Sequence, residues 1–405
     1  MPIMAIDPVD LLSDLVAIPS VNPKGRRVVG PPFGEERLTE FLERFCRSLG
    51  LIVGRQSVGP GQDNLIARLD GDRRSPHGGP LVVFDAHQDT VPVEGMTIEP
   101  FRPAVRGGRL YGRGACDTKG GMAAMLAAVA RLAELPPQAR PTVVLAFTVN
   151  EECGFSGIST LVRQWQADPP PGPESIPARR PDAAVIAEPT GLSVVVAHKG
   201  AIRWRCHAHG RAAHSSHPEW GDNAIYKMAR ALGVLERYQR DVVGTLASHP
   251  LCGPATMSVG TIQGGVSVNT VPDQCTIEID RRCPPGENPE SARAHLVDYL
   301  ARATGLGADL THEPPEMQGP PLSDADNGPL AARLVAAVSE AGHGPAPTIG
   351  VPYGTDAAFY GQAGVPTVVF GPGRLEQAHT VDEWIELDQL HAAAEIYYRF
   401  ARLLA

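Results

Sequence analysis

Four short apolar runs, over 81–86, 142–149, 183–187 and 365–370, each lead into a segment that carries an acid or a histidine. Helix-like stretches, among them 121–135 and 330–341, separate the runs. Strands that are apolar almost without interruption are buried on both faces, so the pattern predicts an α/β fold with an open sheet between helices. In such sheets ligands bind beyond the strand ends, where the chemistry-bearing residues of this chain begin. With 405 residues the chain is long enough for two or three domains.

The texture changes between residues 199 and 314. Residues 202–208 alternate like a half-exposed strand, 222–240 and 289–304 read as helices, and 256–262, 275–281 and 308–311 read as strands. The order β-α-β-β-α-β is that of a ferredoxin-like unit, inserted into the larger domain. The expected division is 1–198 with 315–405 for the main domain and 199–314 for the insert. A Pro/Gly-rich stretch over 167–181 reads as a surface loop of the main domain, because a strand-like run resumes directly after it.

Each candidate site segment carries an ordinary alternative. His87 and Asp89 lie two apart after the first run, on one side of an extended segment, yet a His-x-Asp pair also occurs as a satisfied loop histidine. The glycine-rich 112–121 segment holds Asp117 before an alanine-rich helix. Its Thr-Lys order and spacing fail the phosphate-loop pattern, which leaves Asp117 as a helix N-cap or as a metal ligand. Glu151 and Glu152 are adjacent acids at the mouth of an apolar strand: a solvated turn, or two anions that need a cation nearby. Glu188 closes the third run, and His379 follows the Phe370-Gly371-Pro372-Gly373 segment. Two imidazoles and three carboxylates (His87, Asp117, Glu152, Glu188 and His379) suit a pair of divalent ions and lack the thiolates of a closed structural zinc site.

These five motifs, in this order over nearly the whole chain, resemble the metallopeptidase M20 family, in its acetylornithine deacetylase and succinyl-diaminopimelate desuccinylase branch. The resemblance implies a metal-dependent exopeptidase-like catalytic domain and an inserted lid and dimerisation domain. It implies that His87 and Glu188 hold one metal, Glu152 and His379 the other, and Asp117 bridges them. The metals are expected to be zinc, with cobalt or manganese compatible. Asp89 is expected to orient His87 and Glu151 to serve as general base in hydrolysis of an N-acyl amino acid or dipeptide. His214, in Gly210-Arg211-Ala212-Ala213-His214-Ser215-Ser216, resembles the residue that stabilises the oxyanion across a homodimer. Asn269 and Arg282 are expected at the substrate carboxylate, with Arg281 the structural alternative, and Gly354 and Thr355 form a further substrate-side turn. The wording of 353–359, 370–373 and 377–379 is closer to the acetylornithine deacetylase branch. Asp356, Glu376 or another carboxylate is then the expected partner of a free amine. Desuccinylase, dipeptidase or carboxypeptidase activity is the alternative, and a catalytically silent binding protein on the same fold is the alternative of another class.

The remaining composition narrows the partners. A net charge of −9 disfavours nucleic acid. No stretch of about 18 uninterrupted apolar residues and no leader-like amino terminus is apparent, so a soluble cytoplasmic protein is expected. Seven scattered cysteines without a Cys-x-x-Cys pair fit reduced thiols, although Cys116 and Cys153 beside two of the acids raise the thought of a cysteine hydrolase.

Overall fold

The computed structural model describes residues 6–26, 28, 30–72, 79–166, 176 and 179–405. Most of the loop expected over 167–181 lies outside these residues. The chain divides into two compact units: Met1–Val196 with Asp324–Ile349 and Thr355–Ala405, and Ala197–Ser323 with Gly350–Gly354. The second unit runs beyond residue 314 because strand Met317–Gly319 still pairs with Gly200–His209.

The first unit is built on an eight-stranded mixed sheet in the order Ile52–Gly59, Gln62–Leu69, Thr142–Phe147, Leu81–Asp85, Ala183–Ile186, Thr367–Val369, Val194–His198, Thr348–Val351. Four of these strands, Thr142–Phe147, Leu81–Asp85, Ala183–Ile186 and Thr367–Val369, run parallel at its centre. Every residue of all four is buried, which explains their unbroken apolar sequence. Helices Pro8–Val16, Lys119–Ala133, Gly328–Glu340 and Leu387–Arg402 contribute to one continuous core with the sheet. Phe84 lies at its heart, with ring centroids 5.3 Å from Tyr397 and 6.3 Å from Phe400.

Helix Lys119–Ala133 begins two residues before the expected start, and its glycines have a packing cause. A Cβ on Gly121 would stand 2.6 Å from the Cβ of Ala187, and one on Gly120 would stand 2.5 Å from the carbonyl oxygen of Ala115. The Gly-Gly pair therefore lets the helix lie against the strand ends.

The second unit has the expected ferredoxin-like order. Its antiparallel sheet runs Thr256–Gly264, Gln274–Cys283, Gly200–His209, Leu310–His312. Helices Ala224–Arg237 and Pro289–Thr304 share a core with Ile202, Trp204, Cys206, Ile277 and Ile279. Asn223 and Asn288 cap the two helices by accepting from the first-turn amides. The expected helix over 222–240 is shorter, and the chain continues through a π turn at Tyr238–Val242. On the other face of the sheet charged pairs such as Arg203–Asp280 and Arg205–Glu278 cross between strands. Among the described residues no helix is long and apolar enough to cross a membrane.

Buried His198 and half-buried His312, both in this unit, give it a pH dependence. Burial pushes His198 down to about 4. Burial, with Arg293 and His207 adding to it, also pushes His312 down to about 4, and its Nδ1 accepts from the Trp204 indole at 3.1 Å. Both rings are neutral in the fold, whereas in the unfolded chain they take up protons near their ordinary value of 6.5. Stability is thus complete above about pH 6.5 and is lost as the pH falls toward 4, by about 3 kcal/mol for the fully buried His198. Amide exchange along Gly200–His209, corrected for intrinsic rates, should lose about 10²-fold of protection between pH 6.5 and 4. Flat protection over that window would contradict the assignment.

Candidate metal centre

Five elements of the first unit deliver the acids and histidines to one place. His87 and Asp89 follow strand Leu81–Asp85, Glu151 and Glu152 follow Thr142–Phe147, and Glu188 follows Ala183–Ile186. Asp117 sits in the turn before helix Lys119–Ala133, and His379 lies between strand Thr367–Val369 and strand Trp384–Glu386. The Asp117–Thr118 peptide is cis.

The potential ligand atoms fall into two groups that share one residue. His87, Asp117 and Glu188 form the first, and Asp117, Glu152 and His379 the second, with the atoms of each group within 4.8 Å of one another. His87 Nε2 is 3.0 Å from Asp117 Oδ1 and 4.0 Å from Glu188 Oε1. His379 Nε2 is 3.2 Å from Asp117 Oδ2 and 3.2 Å from Glu152 Oε1. Asp117 therefore turns one oxygen to each group. His379 is reached through a left-handed backbone, φ 57°, and its side chain is 52% exposed, whereas that of Asp117 is 11% exposed. The second group consequently opens toward solvent.

Asp89 stands otherwise than as a plain carboxylate partner of His87. Its carbonyl oxygen accepts from His87 Nδ1 at 2.9 Å, while its carboxylate Oδ1 is 3.6 Å away. That contact places the His87 proton on Nδ1 and leaves Nε2 as a donor atom for a metal. The carboxylate is engaged elsewhere: it accepts from the backbone N–H of Glu151 and of Glu152, each at 3.1 Å, and from Asn22 Nδ2 at 2.7 Å. Asn22 also donates to Asn150 Oδ1 at 2.9 Å. Asn150 itself adopts φ 61°, a left-handed conformation that asparagine tolerates, and so turns the two glutamate amides onto Asp89.

Burial dominates the electrostatics of the acids, and neighbouring charge adds to it. Burial pushes the Glu188 carboxyl well above the usual range, and the Asp117 charge adds to it. Burial does the same to Glu151; His87 pulls it back in part, and Glu188, Asp356 and Glu152 push it up again. The two imidazoles answer in the opposite sense. Hydrogen bonds to Asp117 and Glu152 raise His379 to about 10. Burial pulls His87 down, but Asp117, Asp89 and Glu151 together hold it well above its ordinary value. Asp117 is likewise resisted by burial, yet its bonds to His379 and His87 keep it well below the usual range.

Beneath this layer runs a chain with no sequence signal of its own. Thr148 Oγ1 is 2.8 Å from Asp356 Oδ2 and 3.1 Å from Asp85 Oδ1, and the Tyr360 hydroxyl donates to Asp85 Oδ2 at 2.6 Å. A single hydroxyl proton cannot serve both acids. Burial and the charge of Asp85 push Asp356 well above the usual range, and burial pushes Asp85 up to about 7. Of the two acids expected opposite a substrate amine, Asp356 is thus 2% exposed, and Glu376 is exposed. Cys116 is buried, bonds the Arg374 carbonyl oxygen at 3.4 Å, and burial pushes its thiol well up, which removes it as a nucleophile.

The remaining expected residues belong to the second unit or to its boundary. His214 pairs with Thr270 across a two-stranded ladder, and the Ser215 amide donates to the Asn269 carbonyl oxygen at 3.0 Å. The Ser216 amide donates to His214 Nδ1 at 3.2 Å, which leaves the ring proton on Nε2 of an exposed side chain. Arg281 is wholly buried and bonded to Glu287 at 2.5 Å, whereas Arg282 is 26% exposed and held by Asp280. Arg282 is therefore the arginine available to a ligand. Thr355 is 2% exposed, and its hydroxyl accepts from the Ala357 amide at 3.1 Å; Gly354 precedes it.

Comparison with known proteins agrees with this arrangement. Residues 83–403 match the family described as Peptidase family M20/M25/M40. An acetylornithine deacetylase of Proteus mirabilis is 32% identical over 96% of this chain and 94% of its own. A succinyl-diaminopimelate desuccinylase of Rhodospirillum centenum is 31% identical over 97% and 96%. An M20 family metallo-carboxypeptidase of Sulfolobus solfataricus superposes with a TM-score of 0.78 at 16% identity, over 98% of this chain and 99% of that one. With its paired ligand groups meeting at Asp117, and with relatives of this closeness along almost its full length, the chain belongs to the M20/M25/M40 peptidase family of metal-binding hydrolases.

Proposed function

We propose that the protein is a dinuclear metal-dependent amidohydrolase that removes the acyl group from an N-acyl amino acid, with acetylornithine deacetylase-like specificity, in the cytoplasm. The observation that carries this reading is the shared aspartate: Asp117 offers one carboxylate oxygen to His87 and Glu188 and the other to His379 and Glu152. The donor set fits two divalent ions. It is made of imidazole nitrogens and carboxylate oxygens, and its buried anions outnumber the two imidazoles that answer them. Zinc suits these donors, as do cobalt and manganese. When bound, such ions supply Lewis acidity to the scissile carbonyl and to water.

The chain's own residues divide the remaining work. Glu151 is the general base. It is one residue from ligand Glu152 but outside both ligand groups, and its raised proton affinity suits it to accept a proton near neutral pH and to return it to the leaving amine. Asp89 fixes the Glu151–Glu152 turn and the His87 tautomer. His214 carries a proton on Nε2 that can donate to a developing oxyanion. Asn269 and Arg282 receive the substrate carboxylate, Arg282 through a guanidinium already oriented by Asp280. The Gly354–Thr355 turn forms a further part of the substrate side. The second unit acts as lid and dimerisation domain. Strand Thr256–Gly264 is an edge strand of its sheet among the described residues, and Ile262 and Tyr226 are exposed by 54% and 71%, features that suit pairing with a second copy. Six of the seven cysteines are buried, which suits a reducing compartment.

A panel of acetylornithine, succinyl-diaminopimelate, other acylated amino acids and dipeptides tests the substrate, using metal-loaded and chelator-stripped protein. Chelator-sensitive turnover of acetylornithine is expected; turnover confined to the succinylated compound would move the specificity while leaving the mechanism. Glu151→Ala should keep its metal content, measured by elemental analysis, and lose at least ~10²-fold in kcat. His214→Ala should also lose turnover with its metal retained. If His214 acts across a dimer, mixing that variant with a Glu151→Ala chain should restore part of the activity, and a mixture as inactive as its components would argue against trans action.

A further inference from the structure

Asp117 is carried by a glycine-containing turn that draws much of its support from one distant side chain. Gly112 and Gly114 lie at φ 152° and 83°, so the backbone through 112–117 has more freedom than a turn of bulkier residues. The amides of this turn converge on one side chain. Glu383 Oε1 accepts from the N–H of Cys116 at 2.8 Å and of Asp117 at 2.9 Å, and Oε2 accepts from the N–H of Gly114 at 2.9 Å. Arg113 Nη1 donates to the same Oε2 at 2.8 Å. Glu383 is 0% exposed and Arg113 3% exposed. The link is reciprocal: the Gly112 amide donates to the Glu383 carbonyl oxygen at 3.0 Å, and Arg113 Nη2 reaches the Thr380 carbonyl oxygen at 3.3 Å. Thr380 is the residue after His379, and Trp384, next to Glu383, pairs with Tyr111 at the start of the turn.

We infer that Glu383 is a positioning residue of the metal centre: its carboxylate ties the backbone of the shared ligand Asp117 to the loop of the ligand His379, and so sets the spacing of both ligand groups at once. This rests on the reading of Asp117 as the shared ligand. A buried carboxylate that accepts three amides and a guanidinium is satisfied without a metal, so Glu383 remains outside both ligand groups and acts only through the geometry it imposes. A glutamine cannot replace it. Its single acceptor oxygen serves either the Cys116 and Asp117 amides or the Gly114 amide and Arg113, and its NH₂ group faces the other set of donors.

The test uses the full chain, stripped of metal and titrated with Co2+ alone at 25 °C. Binding is read by calorimetry and by the visible absorption of the bound ion, with circular dichroism to verify folding. Wild type should bind two Co2+ per chain. Glu383→Gln should weaken both binding events together, by about 10- to 100-fold, and alter the absorption bands. Glu383→Asp keeps the charge on a shorter arm and should fall between the two, and it carries the test if Glu383→Gln does not fold. Co2+ affinities and spectra equal to wild type in a variant whose thermal midpoint alone has dropped would reduce Glu383 to a structural role and overturn the proposal. Fewer than two Co2+ bound by wild type would instead overturn the reading of the site on which it stands.

Discussion

The crowding of buried carboxylates beyond the ends of four parallel strands is the constraint that the rest of the structure answers. Like charges in a poorly solvated site are costly, and each acid here is relieved in its own way. Asp89 spends its charge on the amides of Glu151 and Glu152. Glu383 spends its charge on Arg113 and a glycine-rich turn. Asp356, deeper still, is met by the Thr148 hydroxyl, which also lies 3.1 Å from Asp85. Among the described residues, Glu152, Glu188 and Asp117 are answered by imidazoles, and the remaining charge is what a pair of divalent ions would neutralise. Function is concentrated in the acids that the protein itself leaves uncompensated.

The candidate ligand residues were legible in the sequence because the strands that carry them are buried on both faces. Each apolar run stops where the chain leaves the sheet, so His87, the Asn150-Glu151-Glu152 segment and Glu188 stand out as the polar groups that follow it. Asp117 and His379 gained their meaning from the family resemblance and from their places in order along the chain. The ferredoxin-like insert was legible for a related reason. Its alternating strands and amphipathic helices follow local periodicity, while its last strand, Met317–Gly319, is too short to show one. What sequence could not show were partnerships across long separations. Glu383 meets Asp117 from 266 residues away, and Thr148 meets Asp356 from 208. The role of Asp89 was half legible: the family resemblance implied that it orients His87, but not that the carbonyl would make the bond while the carboxylate held the neighbouring turn.

The orienting contacts also fall into a pattern. The ligands of the two groups arrive on separate strands and turns, and no single element carries a complete group. Two buried anions, Asp89 and Glu383, each fasten a turn by its amides, so the ligand side chains are located through backbone as well as through contacts among themselves. Precision of this kind survives the loss of a bound ion better than a cage made only of mutually repelling ligands.

The Gly120–Gly121 pair extends the same dependence beyond the polar residues. Neither glycine bears a functional group, yet a methyl on either would collide with Ala187 or with the Ala115 carbonyl, on the two sides of Asp117 and Glu188. In a library of random variants screened for survival, these glycines should be as intolerant as the ligands. A map of mutational sensitivity would therefore draw the boundary of the centre wider than its chemistry, and intolerance to substitution would not by itself separate residues that react from residues whose only contribution is to be small.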